Sequence, residues 1–83
     1  MNAQNNASLT IFGRGREIEG THGLLKMEEV TFNADPKTLR EVAKFLIEAA
    51  KAKELAGNKW SHLHLQDEWD GFKKDEFSDV IVA

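Results

Sequence analysis

The spacing of apolar residues near the start of the chain predicts a β-hairpin. Residues 9–12 (LTIF) form a short β-rich run that stops at the glycines and arginines of residues 13–16, and apolar side chains return at Leu24 and Leu25. Between them, residues 20–23 (GTHG) have the composition of a turn. We therefore predict two strands joined in this region.

The apolar residues of the second strand cannot all face the same side of a regular strand. Leu25 and Met27 point to one side of a regular strand, whereas Val30 and Phe32 point to the other. One extra residue near positions 28–29 would put all four side chains on the same face. The pattern therefore predicts a bulge or a break at that place.

The clearest element is a helix that begins at Asp35 and Pro36. An aspartate at the N-cap accepts hydrogen bonds from the free N–H groups of the first turn, and proline fits the first helical position. Gly57 supplies a stop signal, so we expect the helix from Pro36 to about Leu55. Its expected core face consists of Leu39, Val42, Ala43, Leu46 and Ala50, with Ile47 and Ala49 beside them and Phe45 at the edge.

After the helix, residues 60–65 (WSHLHL) alternate strictly between two faces. We expect Leu63 and Leu65 to pack under the helix. The opposite face would present Trp60, His62 and His64. Residues 67–77 are typical of a long acidic loop, and residues 79–83 (DVIVA) of a last strand. The predicted fold class is α+β in the order ββαββ, a four-stranded, mostly antiparallel sheet with one helix packed on one face.

Length and cysteine content set further limits. An 83-residue chain without cysteine has room for one core and can form neither a disulfide framework nor a thiolate metal site. Residues 1–7 (MNAQNNA) have no signal-peptide character and are expected to be a disordered tail before a single domain, residues 8–83. No run approaches the ~20 apolar residues of a membrane span. We expect a cytoplasmic protein that does not enter a membrane.

The net charge of −3 is concentrated in one segment. Residues 67–79 contain six acidic residues and two lysines, a net of −4, so the rest of the chain sums to +1. A basic stripe with interleaved aromatic residues, which nucleic-acid binders use, is absent, and the acidic segment would repel phosphates. The charge therefore argues against nucleic acid and favours a basic partner.

Three groups of residues contain side chains that could bind a ligand or take part in a reaction, but none of them predicts an active site. His62 and His64 have the spacing of two metal ligands, but zinc would require a third ligand, such as His22 or Asp70. Residues 13–16 lack the helix N-terminus of a phosphate-binding loop. The acidic residues after His64 have no serine or cysteine nucleophile placed beside them. We therefore predict no catalytic residue, no bound metal and no cofactor.

Aromatic residues within the acidic segment indicate a binding surface. Trp69 and Phe72 lie among carboxylates, an arrangement typical of interface anchors inside a charged rim. The alternative is that these rings and Phe77 fold back to close the core. The candidate partner-binding residues are Asp67, Glu68, Trp69, Asp70 and Phe72 of the acidic segment, together with Trp60, His62 and His64.

Three stretches also match a known pattern when they are read in order. They are Ala34, Asp35, Pro36, Leu39, Val42, Ala43, Phe45 and Leu46, then residues 61–67 (SHLHLQD), then residues 79–82 (DVIV). Over roughly residues 24–83, this ordered set resembles the immunity protein 32 family of bacterial polymorphic toxin systems. The resemblance implies an antitoxin that neutralises a cognate toxin by direct binding, and it offers no catalytic residue to carry over.

Competing functions remain at this point. The first is an immunity protein that binds a toxin domain through the acidic segment and the Trp60, His62 and His64 face. The second is a small self-associating module, a homodimer in which the open sheet face pairs two copies. A metal-dependent domain or an enzyme is the third. A toxin gene directly upstream of this one would favour the first.

Overall fold

The computed structural model describes residues 6–17 and 22–83 of the chain. Strands β1 (Leu9–Glu17) and β2 (Leu25–Ala34) pair antiparallel and form the predicted hairpin. The predicted tail falls mostly, and the predicted turn partly, on residues 1–5 and 18–21, which lie outside the described residues.

Strand β1 runs past residue 12, where the sequence had predicted its end. The glycines that suggested a turn instead allow close approach to β2. A Cβ atom at Gly13 would collide with the Met27 side chain, and one at Gly15 would collide with the backbone carbonyl of Lys26. The prediction of a four-residue strand is therefore wrong.

The predicted bulge in β2 is confirmed. Arg14 pairs with Glu29 and Gly15 pairs with Met27, so the register shifts and Glu28 is the extra residue of β2. The shift places the four large apolar residues of β2 opposite odd-numbered residues of β1, and therefore on one face of the hairpin. They are Leu25, Met27, Val30 and Phe32.

Helix α1 (Pro36–Ala56) begins and ends where the sequence predicted. Asp35 is the N-cap, and its Oδ2 accepts a hydrogen bond of 3.1 Å from the backbone N–H of Thr38. At the other end Gly57 has a φ of 57°, a left-handed conformation that glycine adopts without strain, and its N–H donates to the carbonyl of Lys53. A 3₁₀ turn, Gly57–Lys59, follows.

The buried face of α1 differs from the predicted one by about one residue. The buried side chains are Thr38, Val42, Phe45 and Ala49. Leu39 and Leu46, predicted as core, are 40% and 43% exposed. Two neighbouring stripes of this helix have the same apolar period, so periodicity alone could not select between them. The aromatic ring of Phe45, expected at the edge, fills the core instead.

The second half of the chain contains less strand than predicted. Strand β3 (Leu63–His64), helix α2 (Leu65–Glu68) and strand β4 (Ile81–Val82) follow α1, and β3 pairs antiparallel with β4. The order of strands around α1 is the predicted ββαββ, and the α+β class is confirmed. The single four-stranded sheet is wrong, because the described residues form two separate two-stranded sheets. The short helix α2 was not predicted.

Ser78 joins the two sheets in place of a continuous ladder. Its backbone N–H donates to the carbonyl of Leu9 at 2.9 Å, and its Oγ accepts from the N–H of Ile11 at 3.0 Å. A side chain therefore satisfies a backbone donor of β1 that a neighbouring strand would otherwise pair. This joint brings the β3–β4 sheet alongside the base of the hairpin.

The core lies between α1, the base of the hairpin and the second half of the chain. It consists of Leu9, Val42, Phe45, Leu65 and Phe77. Leu65 is fully buried and Leu63 packs against the cluster, so the predicted packing of these two leucines is confirmed. Neither α1 nor α2, the α-helices among the described residues, has the length and apolar character needed to cross a bilayer.

Candidate partner-binding surface

The acidic residues predicted to meet a partner lie on and just after α2. Asp67 and Glu68 occupy the last half of that four-residue helix, and Asp70 follows it; all three are exposed. The helix is held at both ends, since Leu65 at its start is buried in the core and the ring of Trp69, just after its end, packs on Phe77. The backbone that carries these carboxylates is therefore held in place by the core.

The aromatic rings of the acidic segment fold onto the core. Phe77 is buried, and Trp69 stacks on it with ring centroids 5.8 Å apart and an angle of 28° between planes. Phe72 meets Phe77 edge-on at 5.4 Å. The alternative in which these rings close the core is thus confirmed, although Trp69 and Phe72 each keep part of their surface exposed.

Trp69 lines two shallow clefts. The first, of about 250 Å³, lies between α1 and α2 and is lined by Glu41, Lys44, Phe45, Glu68, Trp69 and Asp70. The second, of about 290 Å³, is lined by Ala7, Asp35, Lys37, Thr38, Trp69, Gly71 and Lys73. Three carboxylates and one ammonium group border the first cleft, so its rim is net negative, and its walls include two aromatic rings.

Sequence reasoning missed the contribution of α1 to the first cleft. Glu41 and Lys44 are not among the residues predicted for the core face of the helix, yet both line the cleft beside Trp69. They lie one residue before Val42 and Phe45, which are buried. Choosing the correct buried stripe would have placed them at its border, next to the acidic segment.

The second predicted group does not form a regular strand face. Only His64 of that group lies in β3, and Trp60 and His62 precede the strand. His62 is exposed, its Nδ1 lies 2.8 Å from Oγ of Ser61, and its ring meets that of His64 at 5.1 Å in a T-shaped arrangement. Trp60 is half-buried, with its Nε1 in the interior. The two histidines therefore form one local patch.

Asp79 is the residue of this region that sequence reasoning did not single out. Its Oδ2 lies 2.7 Å from Nδ1 of His64, and its Oδ1 accepts from the backbone N–H groups of Gln66 and Val80 at 3.0 and 2.9 Å. Burial alone would raise the pKa of Asp79, but the hydrogen bonds, that of His64 foremost, outweigh it and lower the pKa. The ionised carboxylate can only accept, so Nδ1 of His64 donates.

The residues considered for metal binding are not brought together. Within residues 6–17 and 22–83, no three histidine, aspartate or glutamate side chains are grouped so that they could share an ion. Neither His22 nor Asp70 therefore completes a site with His62 and His64. The carboxylate that reaches His64 is Asp79, and it is occupied with the backbone of two further residues.

Comparison with known proteins gives one match. The family model described as Immunity protein 32 matches residues 29–83, about two thirds of the chain. The matched part begins immediately after the bulge residue Glu28 and includes α1, α2, β3 and β4. No curated protein and no solved structure matches the chain.

Proposed function

This chain belongs to the immunity protein 32 family, and we propose from this membership that it binds a bacterial toxin domain and neutralises it. In this proposal the chain acts in the cytoplasm, within a polymorphic toxin system, and covers the active site of the toxin or a surface beside it. The family match is the observation that carries the proposal, and the geometry of the acidic surface supports a mode of binding.

The binding surface in this proposal is centred on Asp67, Glu68 and Asp70. Their carboxylates are exposed, and Glu41 of α1 adds a fourth near the first cleft. A surface with this charge attracts a basic partner over a range of ~8–10 Å at moderate salt. Its main contribution is therefore to the rate of association and to the choice of partner.

Trp69 is proposed as the contact that holds the partner once it has arrived. Its indole is fixed from two sides, because it stacks on Phe77 and because its ring atoms approach Gly71 so closely that a Cβ there would lie 2.8 Å away. An aromatic side chain that is already ordered loses little entropy on binding. Phe72 supports the same cluster through its contact with Phe77.

The patch of His62 and His64, together with Trp60 shortly before it in the chain, is proposed as the second part of the surface. Asp79 links this patch to the acidic part, since it contacts His64 and also holds the N–H of Gln66 in α2. The exposed ring of His62 can donate or accept a hydrogen bond, depending on its tautomer. A partner that covers α2 could therefore reach both parts.

Neutralisation in this proposal requires no catalytic step by the immunity protein. His64 and Asp79 form a close pair, but the same carboxylate fixes the backbone at Gln66 and Val80. This bonding pattern supports a structural role for the pair, in which it fastens the start of α2 to β4. Binding alone then explains the neutralisation of a toxin.

The proposal is tested with the toxin domain encoded beside this gene. We expect cells that produce the toxin domain to survive only when they also produce this chain, and we expect the chain to co-purify with an inactive variant of the toxin domain. An unrelated toxin domain is the control for specificity. A chain that is folded but neither protects the cells nor binds the purified domain would show that the proposed function is wrong.

A further inference from the structure

One face of the β1–β2 hairpin is apolar from its base to Leu25, and Glu17 is the charged residue at its far end. On this face Phe32, Val30, Met27 and Leu25 of β2 lie opposite Ile11, Gly13, Gly15 and Glu17 of β1. The bulge at Glu28 makes this possible, because without it Val30 and Phe32 would turn away from Leu25 and Met27. The methyl end of Met27 lies over Gly13, where a larger residue would exclude it.

Only the base of this face is covered by the rest of the domain. Leu9 is buried, and Ile11 and Ala34 pack against the core. Beyond them the apolar side chains are exposed: Phe32 by 36%, Val30 by 52%, Met27 by 42% and Leu25 by 52%. The opposite face carries one large apolar side chain, the exposed Phe12, and is otherwise polar, with Thr31 and the Arg14–Glu29 ion pair at 3.2 Å. The hairpin is thus amphipathic, but most of its apolar face has no cover from the described residues.

Helix α1 also has an exposed apolar stripe. Leu39 and Leu46 are 40% and 43% exposed, and Ile47 beside them is 58% exposed. The other flank of the helix, at Glu41 and Lys44, faces the acidic segment. The apolar stripe therefore lies on the flank turned away from that segment. It begins one turn into α1, close to the corner where β2 ends.

We propose that a second copy of this chain covers the apolar face of the hairpin and the apolar stripe of α1, forming a symmetric dimer. With about 200 Å² for a large apolar residue, the exposed fractions of these seven residues amount to on the order of 600 Å² per copy, near the ~800 Å² per partner of a specific interface. The exposed apolar residues carry no charge, so the partner surface that fits them is itself uncharged and apolar.

A second copy also fits the stability of the hairpin. Two strands alone are marginally stable in water, and a hydrophobic face must pack on another layer. Because the part of the face beyond the base is uncovered in the single chain, a layer that is available before any toxin is met would stabilise the hairpin. Another molecule of the same chain satisfies this condition. Two hairpins that pack face to face bury the same set of apolar residues in each copy. The proposal does not depend on the proposed antitoxin function.

The first test is the mass of the purified chain in solution without toxin. We expect a species of twice 9.4 kDa by sedimentation, and we expect Val30→Lys to produce monomers. The matched control is Thr31→Lys, which adds the same charge at the next residue but on the other face, and which should remain dimeric. Circular dichroism checks that both variants are folded. A parent chain that stays monomeric at high concentration would overturn the proposal.

A second measurement avoids the risk that a lysine disrupts the hairpin. Because the chain has no cysteine, Val30→Cys and Thr31→Cys each introduce one thiol, and a short bis-maleimide reagent should link two copies through position 30 but not through position 31. Equal linkage at both positions would contradict the proposed face. If the parent is monomeric and Val30→Lys instead abolishes toxin binding, the face belongs to the toxin and the dimer is wrong.

Discussion

Phe45 determines which side of α1 faces the core. Its ring is buried together with Val42, Leu65 and Phe77, whereas Leu46, the next residue, is nearly half exposed. The two positions differ by 100° around the helix. The choice between them depends on the shape of the space that Leu65 and Phe77 leave, and this space is made by residues distant in sequence. For this reason a local pattern could identify the helix but not its buried side.

Replacing Phe45 with alanine should therefore cost far more stability than replacing Leu46. We expect Phe45→Ala to lower the free energy of unfolding by ~3–5 kcal/mol through lost burial and a cavity. Leu46→Ala should lower the free energy of unfolding of the single chain by about 1 kcal/mol or less, because much of its side chain lies outside the core of that chain. Urea denaturation at two well-separated protein concentrations separates folding from association. Equal costs for the two variants would contradict the observed buried face.

At the level of single elements, α1 is the part that the sequence predicted best. Its start depends on Asp35 and Pro36 and its end on Gly57, and these residues act on backbone groups within a few positions. The bulge in β2 was predictable for a similar reason, since the parity of its apolar residues requires it. Such signals need no knowledge of distant parts of the chain.

The sheet could not be predicted in the same way. The joint between the two sheets is made by Ser78 with Leu9 and Ile11, a contact across more than sixty residues that no local pattern indicates. A serine side chain there replaces the ladder that a longer β4 would form. Asp79 likewise fixes the turn from β3 into α2, so the strand predicted over residues 60–65 stops at His64.

The N-cap of α1 should make stability depend on pH in acid. The hydrogen bonds that Asp35 accepts, from Thr38 foremost and then from Ser8, lower its pKa from 3.8 to about 2. The folded state therefore holds its proton less tightly than the unfolded state. The contribution of this carboxylate is complete above pH ~4 and is lost as the pH falls through about 2.

The variant Asp35→Asn tests this contribution. Asparagine also caps helices well but does not titrate, so we expect the difference in melting temperature between parent and variant to shrink as the pH falls from 4 to 2. Thermal melts followed at 222 nm across this range measure the difference. A constant difference at every pH would show that Asp35 has no special role in acid stability.

At the scale of the whole molecule, the acidic surface and the apolar surface lie on different flanks of α1. Glu41 and Lys44 border the cleft beside Trp69, while Leu39 and Leu46 are on the flank turned away from it. If both proposals hold, one chain can bind a second copy and a toxin at the same time. The two associations should respond oppositely to salt, because salt screens charge steering but favours apolar burial.

The steering of a toxin should be lost when the acidic surface is neutralised. We expect Asp67→Asn, Glu68→Gln and Asp70→Asn, combined in one variant, to lower the association rate several-fold, roughly 3–10-fold at low salt, and to flatten its dependence on salt. The matched control carries glutamine at Glu28, Glu48 and Glu54, all exposed, and so loses the same charge elsewhere. Stopped-flow or surface-based kinetics with the toxin domain at two salt concentrations give both rates.

A variant of Trp69 distinguishes an effect on the association rate from an effect on the dissociation rate. Trp69→Phe keeps an aromatic ring against Phe77 but removes part of the indole that lines both clefts. If Trp69 anchors the partner, this change should speed dissociation and leave the association rate and its salt dependence as in the parent, because a neutral side chain does not alter the long-range field. If the acidic-surface variant and its matched control slow association equally, the net charge of the chain is the cause. The residues around α2 would then not be part of the interface. Should Trp69→Phe and the acidic-surface variant both match the parent while remaining folded, the toxin contact would have to lie beyond α2, with the patch of His62 and His64, together with Trp60, as the next surface to substitute.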